Sequence, residues 1–154
     1  MTDCAAVLRA VDIFSDFPAD FLDRLAAVAE LREYAAGATV VSEHEAADSF
    51  LVVTRGAVDV YRSDVGGGAQ PIARLGPDRF FGELALLHGG ARTATIRAAE
   101  ASECLVLGKA AFDAELRRDP NTAAVLATRL ARRINVYLGH QQAQPESARQ
   151  QPQA

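Results

Sequence analysis

The chain has 154 residues, 49% of them apolar and 23% charged, with a net charge of −4. That length suits one globular domain of ordinary composition, and the acidic balance speaks against a nucleic-acid binder, whose domain usually carries a basic excess. Cys4 and Cys104 stand far apart without a CxxC pair, which argues against a disulfide framework or structural zinc site and for free thiols in a reducing cytosol.

No basic stretch leading into an apolar run opens the sequence, so no signal peptide is predicted. No apolar stretch approaches the roughly 18 residues of a membrane helix. The expectation is a soluble cytoplasmic protein. Residues 5–32 read as helical: Ala6, Leu8, Val11 and Ile13 in a short first segment, then a second helix opened by Pro18. Asp20 and Asp23 lie near the positive end of that helix. Phe21, Leu25 and Val28 form its apolar stripe.

From about residue 33 to residue 109 the texture changes to short apolar runs between turn residues. Thr39–Val41, Phe50–Val53, Ala57–Tyr61, Pro71–Leu75, Ala94–Ala98 and Cys104–Leu107 read as strands, punctuated by glycines. Gly66–Gly68 reads as a hairpin tip, since no GK[S/T] follows to make a phosphate loop. Many short strands at this spacing predict a mainly β fold, an antiparallel roll or jelly roll with flanking helices. Residues 110–139 return to helical spacing. Ala110–Arg118 comes first, then a helix capped at Asp119–Pro120, carrying Ala123, Leu126, Leu130, Ile134 and Tyr137, and stopping near Gly139. Residues 140–154 lack periodicity and read as a disordered tail.

The stretch Phe80–Thr95, FFGELALLHGGARTAT, carries the chemistry. Gly82 lets a ligand approach the backbone. Residues 83–87 favour one short helical turn, whose start offers free N–H groups to an anion. Arg92 presents a planar fork of donors suited to phosphate, and Thr93 adds a hydroxyl. Ionised Glu83 only accepts hydrogen bonds, so it suits sugar hydroxyls rather than phosphate. A ligand with one anionic end and one hydroxyl end satisfies this set, and many ligands answer that description. His44, His88 and His140 are scattered, so a roll-shaped metalloenzyme lacks its ligand set. No nucleophile–histidine constellation is visible, and no enzyme is predicted. Arg129, Arg132 and Arg133 suit a helix C-terminus.

Phe81-Gly82-Glu83-Leu84-Ala85-Leu86, followed after a loop by Arg92-Thr93-Ala94, resembles the phosphate-binding cassette of the cyclic nucleotide-binding domain family. That family includes the effector domain of the catabolite activator protein and regulatory domains of cyclic-nucleotide-dependent kinases and channels. The resemblance spans roughly residues 10–138, with cassette 80–95. It implies a β-roll with helices and cAMP, or cGMP, as ligand, with no further cofactor or metal. Glu83 would hold the ribose 2′-OH and Arg92 the cyclic phosphate. Gly82, Leu84, Ala85 and Thr93 would make backbone or hydroxyl contacts. The last helix would cover the base, with lid contacts among Arg129, Leu130, Arg133, Ile134 and Tyr137. Its movement would signal to an unknown effector protein or domain, and its apolar stripe suits either a homodimer or packing on the roll. Transcription factors of this family carry a helix-turn-helix after that helix. Only about fifteen residues remain here, too few for that motif, so no nucleic-acid contact is expected. A ligand-free structural or protein-interaction domain on the same fold is the alternative. The sequence departs from the family at His44 and Ala47, where glycines are common, and at Asp78-Arg79, where Gly-Asp is common.

Overall fold

The computed structural model describes residues 2–15, 17–87, 89–118, 120, 123–125, 127–132 and 135. The expected cap at Asp119, the stop at Gly139 and the tail at 140–154 lie outside them. Helix α1 (Cys4–Ala10) and a 3₁₀ turn (Asp12–Phe14) lead into α2 (Ala19–Val28). Eight strands follow: β1 (Glu30–Tyr34), β2 (Thr39–Val41), β3 (Ser49–Arg55), β4 (Val58–Tyr61), β5 (Ala73–Leu75), β6 (Phe80–Phe81), β7 (Thr95–Ala98) and β8 (Ser102–Gly108). Helix α3 (Glu83–Leu87) interrupts them between β6 and β7, and α4 (Lys109–Arg117) follows β8.

The strands form two antiparallel four-stranded sheets, ordered β1-β8-β3-β6 and β2-β7-β4-β5. The expected roll is therefore present, and the hairpin β4–β5 turns at Gly66–Gly68 as read from the sequence. The central strands β3 and β8 of the first sheet are buried on both faces, which explains their continuous apolar runs. On β3, Leu51 and Val53 face the second sheet, while Phe50 and Val52 face the helices. On β8, Cys104 and Val106 face the second sheet, Leu105 and Leu107 the helices. Burial pushes the Cys104 thiol up to about 12, so this cysteine behaves as a small core side chain.

The helix-side core is aromatic. Phe14 meets Phe50 edge-on at 5.5 Å, Phe50 meets Phe80 at 5.5 Å, and Phe21 meets Phe112 of α4 at 6.4 Å. This chain of rings ties the N-terminal helices, the first sheet and α4 together.

Three expectations need correction. The helical reading of 5–32 runs too far, because β1 begins at Glu30. Glu30–Tyr34 pairs along its length with Val106–Ser102 of β8, a partner about seventy residues away that local spacing does not reveal. Val28 is 39% exposed, and Leu22 takes its place in the α2 stripe beside Phe21 and Leu25. Pro18 is the N-cap of α2 and not its first helical residue.

His44 and Asp78 are the non-glycine residues with positive φ among the described residues, at 77° and 74°. Both occupy turns that keep the left-handed backbone despite a side chain. That conformation costs a non-glycine residue about 1 kcal/mol. Asp78→Gly is therefore expected to stabilise the fold by up to about 1 kcal/mol, a rise of about 2–4 °C in melting temperature. Calorimetry showing a lower melting temperature would contradict this account of the turn.

Candidate functional site

The site is built where β6 ends. Gly82 takes φ +83°, which turns the chain sharply into α3. A Cβ there would stand 2.7 Å from Arg92 Nη1 and 2.7 Å from the Ser49 carbonyl oxygen. Glycine is thus required for both backbone angle and space. The Arg92 guanidinium consequently lies directly against the residue that precedes Glu83.

The backbone around Arg92 is held by a second piece of chain, the β2–β3 loop. The His44 N–H donates to the Arg92 carbonyl at 2.9 Å, the Arg92 N–H to Glu45 at 2.8 Å, and the Ala47 N–H to Gly90 at 2.8 Å. These bonds fix the arginine from a segment some forty-five residues earlier.

The electrostatics are unusual. Glu83 is fully buried, and neither carboxylate oxygen has a hydrogen-bond partner among the described residues. Burial pushes its carboxyl up to about 7. Arg92 is 2% exposed. Its Nη2 donates to Ser49 Oγ at 2.9 Å, while Nε and Nη1 are buried without partners. Burial lowers its pKa, opposed by the Asp48 and Glu45 carboxylates. Asp48 stands 3.9 Å from Nη2 but is 83% exposed, so it compensates the cation weakly. Arginine keeps its proton in proteins. The turn into α3 thus carries a fixed positive charge against Gly82 and, on the next residue, a buried carboxyl raised to about 7. Buried polar groups ordinarily have partners, so these unpartnered donors and acceptors make this turn the candidate site.

The remaining sequence-selected residues divide. Ala85 is buried, and its N–H donates to the Gly82 carbonyl at 3.0 Å. Leu84 is half-buried and packs into the helix-side core. Thr93 is exposed next to Arg92. Leu130 is buried in the helix-side core and Arg129 is exposed, while Arg133, Ile134, Tyr137 and His88 lie outside the described residues. Ser49 and Asp48 were not singled out from sequence. They sit more than forty residues from Arg92, outside any motif, and no local signal marks them.

The sequence profile of the Cyclic nucleotide-binding domain matches residues 31–119, an interval that contains both sheets except Glu30, and the Gly82–Arg92 site. The chain belongs to that family. It is 31% identical over 127 residues to the Cyclic AMP receptor protein of Thermus thermophilus, covering 82% of this chain and 59% of the relative. It is 32% identical over 105 residues to the cAMP-dependent protein kinase regulatory subunit of Colletotrichum orbiculare, covering 68% of this chain and 26% of the relative. The chain thus spans about three fifths and about a quarter of those two proteins. Among solved structures, the N-terminal domain of a transcriptional regulator from Streptomyces coelicolor superposes with a TM-score of 0.74 at 30% identity, covering 90% of this chain and 97% of that one. As a member of that family, the chain carries Gly82, Glu83 and Arg92 on one continuous segment, whose Arg92 backbone is braced by the β2–β3 loop. No described helix is long and apolar enough to cross a membrane.

Proposed function

We propose that this domain is a regulatory sensor for a 3′,5′-cyclic nucleotide, with cAMP favoured over cGMP. The phosphate docks on Arg92 and the ribose 2′-OH on Glu83, with Gly82, Leu84, Ala85 and Thr93 lining the turn. One observation supports this most strongly. A buried guanidinium with two free donors abuts the turn into a buried carboxyl with both oxygens free. A cyclic nucleotide has one phosphate charge and one free ribose hydroxyl, and so complements both groups.

The route to an output runs through packing. Leu86 of α3 shares the helix-side core with Phe21, Phe112 of α4 and Leu130. A ligand that repositions α3 therefore acts on the C-terminal helices, provided it binds one helix arrangement better than the other. Closure of the last helix over the base, with Arg129, Leu130, Arg133, Ile134 and Tyr137 as lid residues, would carry the signal to an effector, another copy of the chain, or another domain in the cytoplasm.

The deciding measurement is a calorimetric titration with cAMP and with cGMP, paired with thermal unfolding. Ligand at about one hundred times Kd adds roughly 2.7 kcal/mol to stability, so the melting temperature should climb by several degrees. Absence of heat and of any thermal shift with both nucleotides at millimolar concentration would refute the sensor reading and favour a ligand-free interaction domain.

A further inference from the structure

The first residue of β3 stands at a junction of three elements. Ser49 pairs across the ladder with Gly108, which caps α4. The adjoining Asp48 carbonyl accepts from the N–H of Lys109, the first residue of α4, at 2.8 Å. The Ser49 carbonyl crowds the Gly82 Cα. The Ser49 hydroxyl accepts from Arg92 Nη2 at 2.9 Å. Ser49 thus touches the turn glycine and the strand end beside α4 through its backbone, and the buried cation through its hydroxyl.

The hydroxyl bond matters because a guanidinium is a flat, rigid fork. Once its stem is packed, a bond to one terminal nitrogen sets the plane of the whole group and the directions of the other donors. Here Nη2 is spoken for, and Nε and Nη1 remain buried and free. The other group near Nη2 is the Asp48 carboxylate, at 3.9 Å and mostly in solvent. It lies beyond hydrogen-bond distance and does not orient the fork. Ser49 is half-buried at the same point and bonds at ideal length.

We infer that Ser49 is the positioning residue for Arg92: its hydroxyl sets the guanidinium plane so that the free donors stay aimed at the ligand's anionic group. The ligand's identity rests on the cyclic-nucleotide reading above; the positioning role rests on the Ser49–Arg92 bond. Ser49 acts through Arg92 and need not touch the ligand. The predicted signature is stereochemical. The two exocyclic phosphate oxygens of a cyclic nucleotide are distinct positions, and a fixed fork favours an oxygen at one of them. A fork free to swivel loses that preference.

The test titrates wild-type protein, Ser49→Ala and Ser49→Thr with the cyclic nucleotide and with its two phosphorothioate diastereomers, in which sulfur replaces one or the other exocyclic oxygen. Ser49→Ala is expected to bind the parent nucleotide about tenfold more weakly, the size of one lost hydrogen bond to a charged group. Its affinity ratio between the diastereomers should contract toward one, with the unliganded melting temperature lowered by no more than a few degrees. Ser49→Thr should restore affinity and ratio. Wild-type affinity and ratio in Ser49→Ala overturn the inference while leaving the sensor reading intact. An equal loss for both diastereomers, unrescued by threonine, also overturns it and assigns Ser49 to the fold alone. A wild-type protein that binds neither cAMP nor cGMP overturns the sensor reading, and the inference with it.

Discussion

Arg92→Ala is expected to weaken cyclic-nucleotide binding by about 2–5 kcal/mol, a loss of roughly thirty-fold to several-thousand-fold. The size follows from burial. Arg92 is 2% exposed, and a phosphate bound against it loses its water. Removing the cation leaves that phosphate charge stranded in a poorly hydrated site. The same variant should unfold within a few degrees of wild type when unliganded, because Arg92 has two donors without partners and contributes little net bonding to the free fold. Arg92→Lys should recover part of the affinity, since it keeps the charge but loses the fork. Isothermal titration checks the two affinities, and thermal unfolding checks the stability. Wild-type affinity in Arg92→Ala would remove this residue from the site.

Glu83 yields the second large effect, in binding and in stability. Glu83→Ala should lower affinity for the ribonucleotide by about 1.5–3 kcal/mol, the worth of a hydrogen bond to a charged group. Affinity for the 2′-deoxy analogue should change far less, because that ligand has no hydroxyl to offer. Equal losses for both ligands would sink the ribose assignment. The stability effect has a definite sign. In the folded protein burial raises the Glu83 carboxyl from 4.5 to about 7. Between those values the folded state holds a proton that the unfolded state has released, so stability falls as pH rises. The cost is absent below about pH 4.5 and complete above about pH 7, where it reaches about 3 kcal/mol. Glu83→Gln, neutral at every pH, should therefore melt several degrees above wild type at pH 8. The advantage should vanish near pH 4. A pH-independent offset between the two proteins would show that the carboxyl does not titrate as burial dictates.

Much of this molecule was legible from neighbouring residues. Runs such as Phe50–Val53 and Cys104–Leu107, rich in β-branched and apolar side chains between glycines, announced strands, and the alternation of short runs with turns announced a roll. The glycine, glutamate and arginine of the 80–95 stretch stood out because their chemistry and spacing lie within a dozen residues. Other features were settled only when distant segments met. Glu30–Tyr34 became a strand because β8 offers its hydrogen bonds, and its own alternation is too polar to show it. Val28 lost its buried place to Leu22 because packing against the first sheet and α4 chose the face. His44 and Asp78 hold left-handed turns that their side chains disfavour, since bonds to Arg92 and Val53 close those turns. The sequence by itself determined most of the elements and which charged groups lie near one turn, because propensity and motif are local properties of the chain. Tertiary structure alone decided that the Glu83 carboxylate and two of the Arg92 nitrogens are buried without partners and that Ser49 holds the third, because dehydration and contact depend on what the rest of the chain places around them.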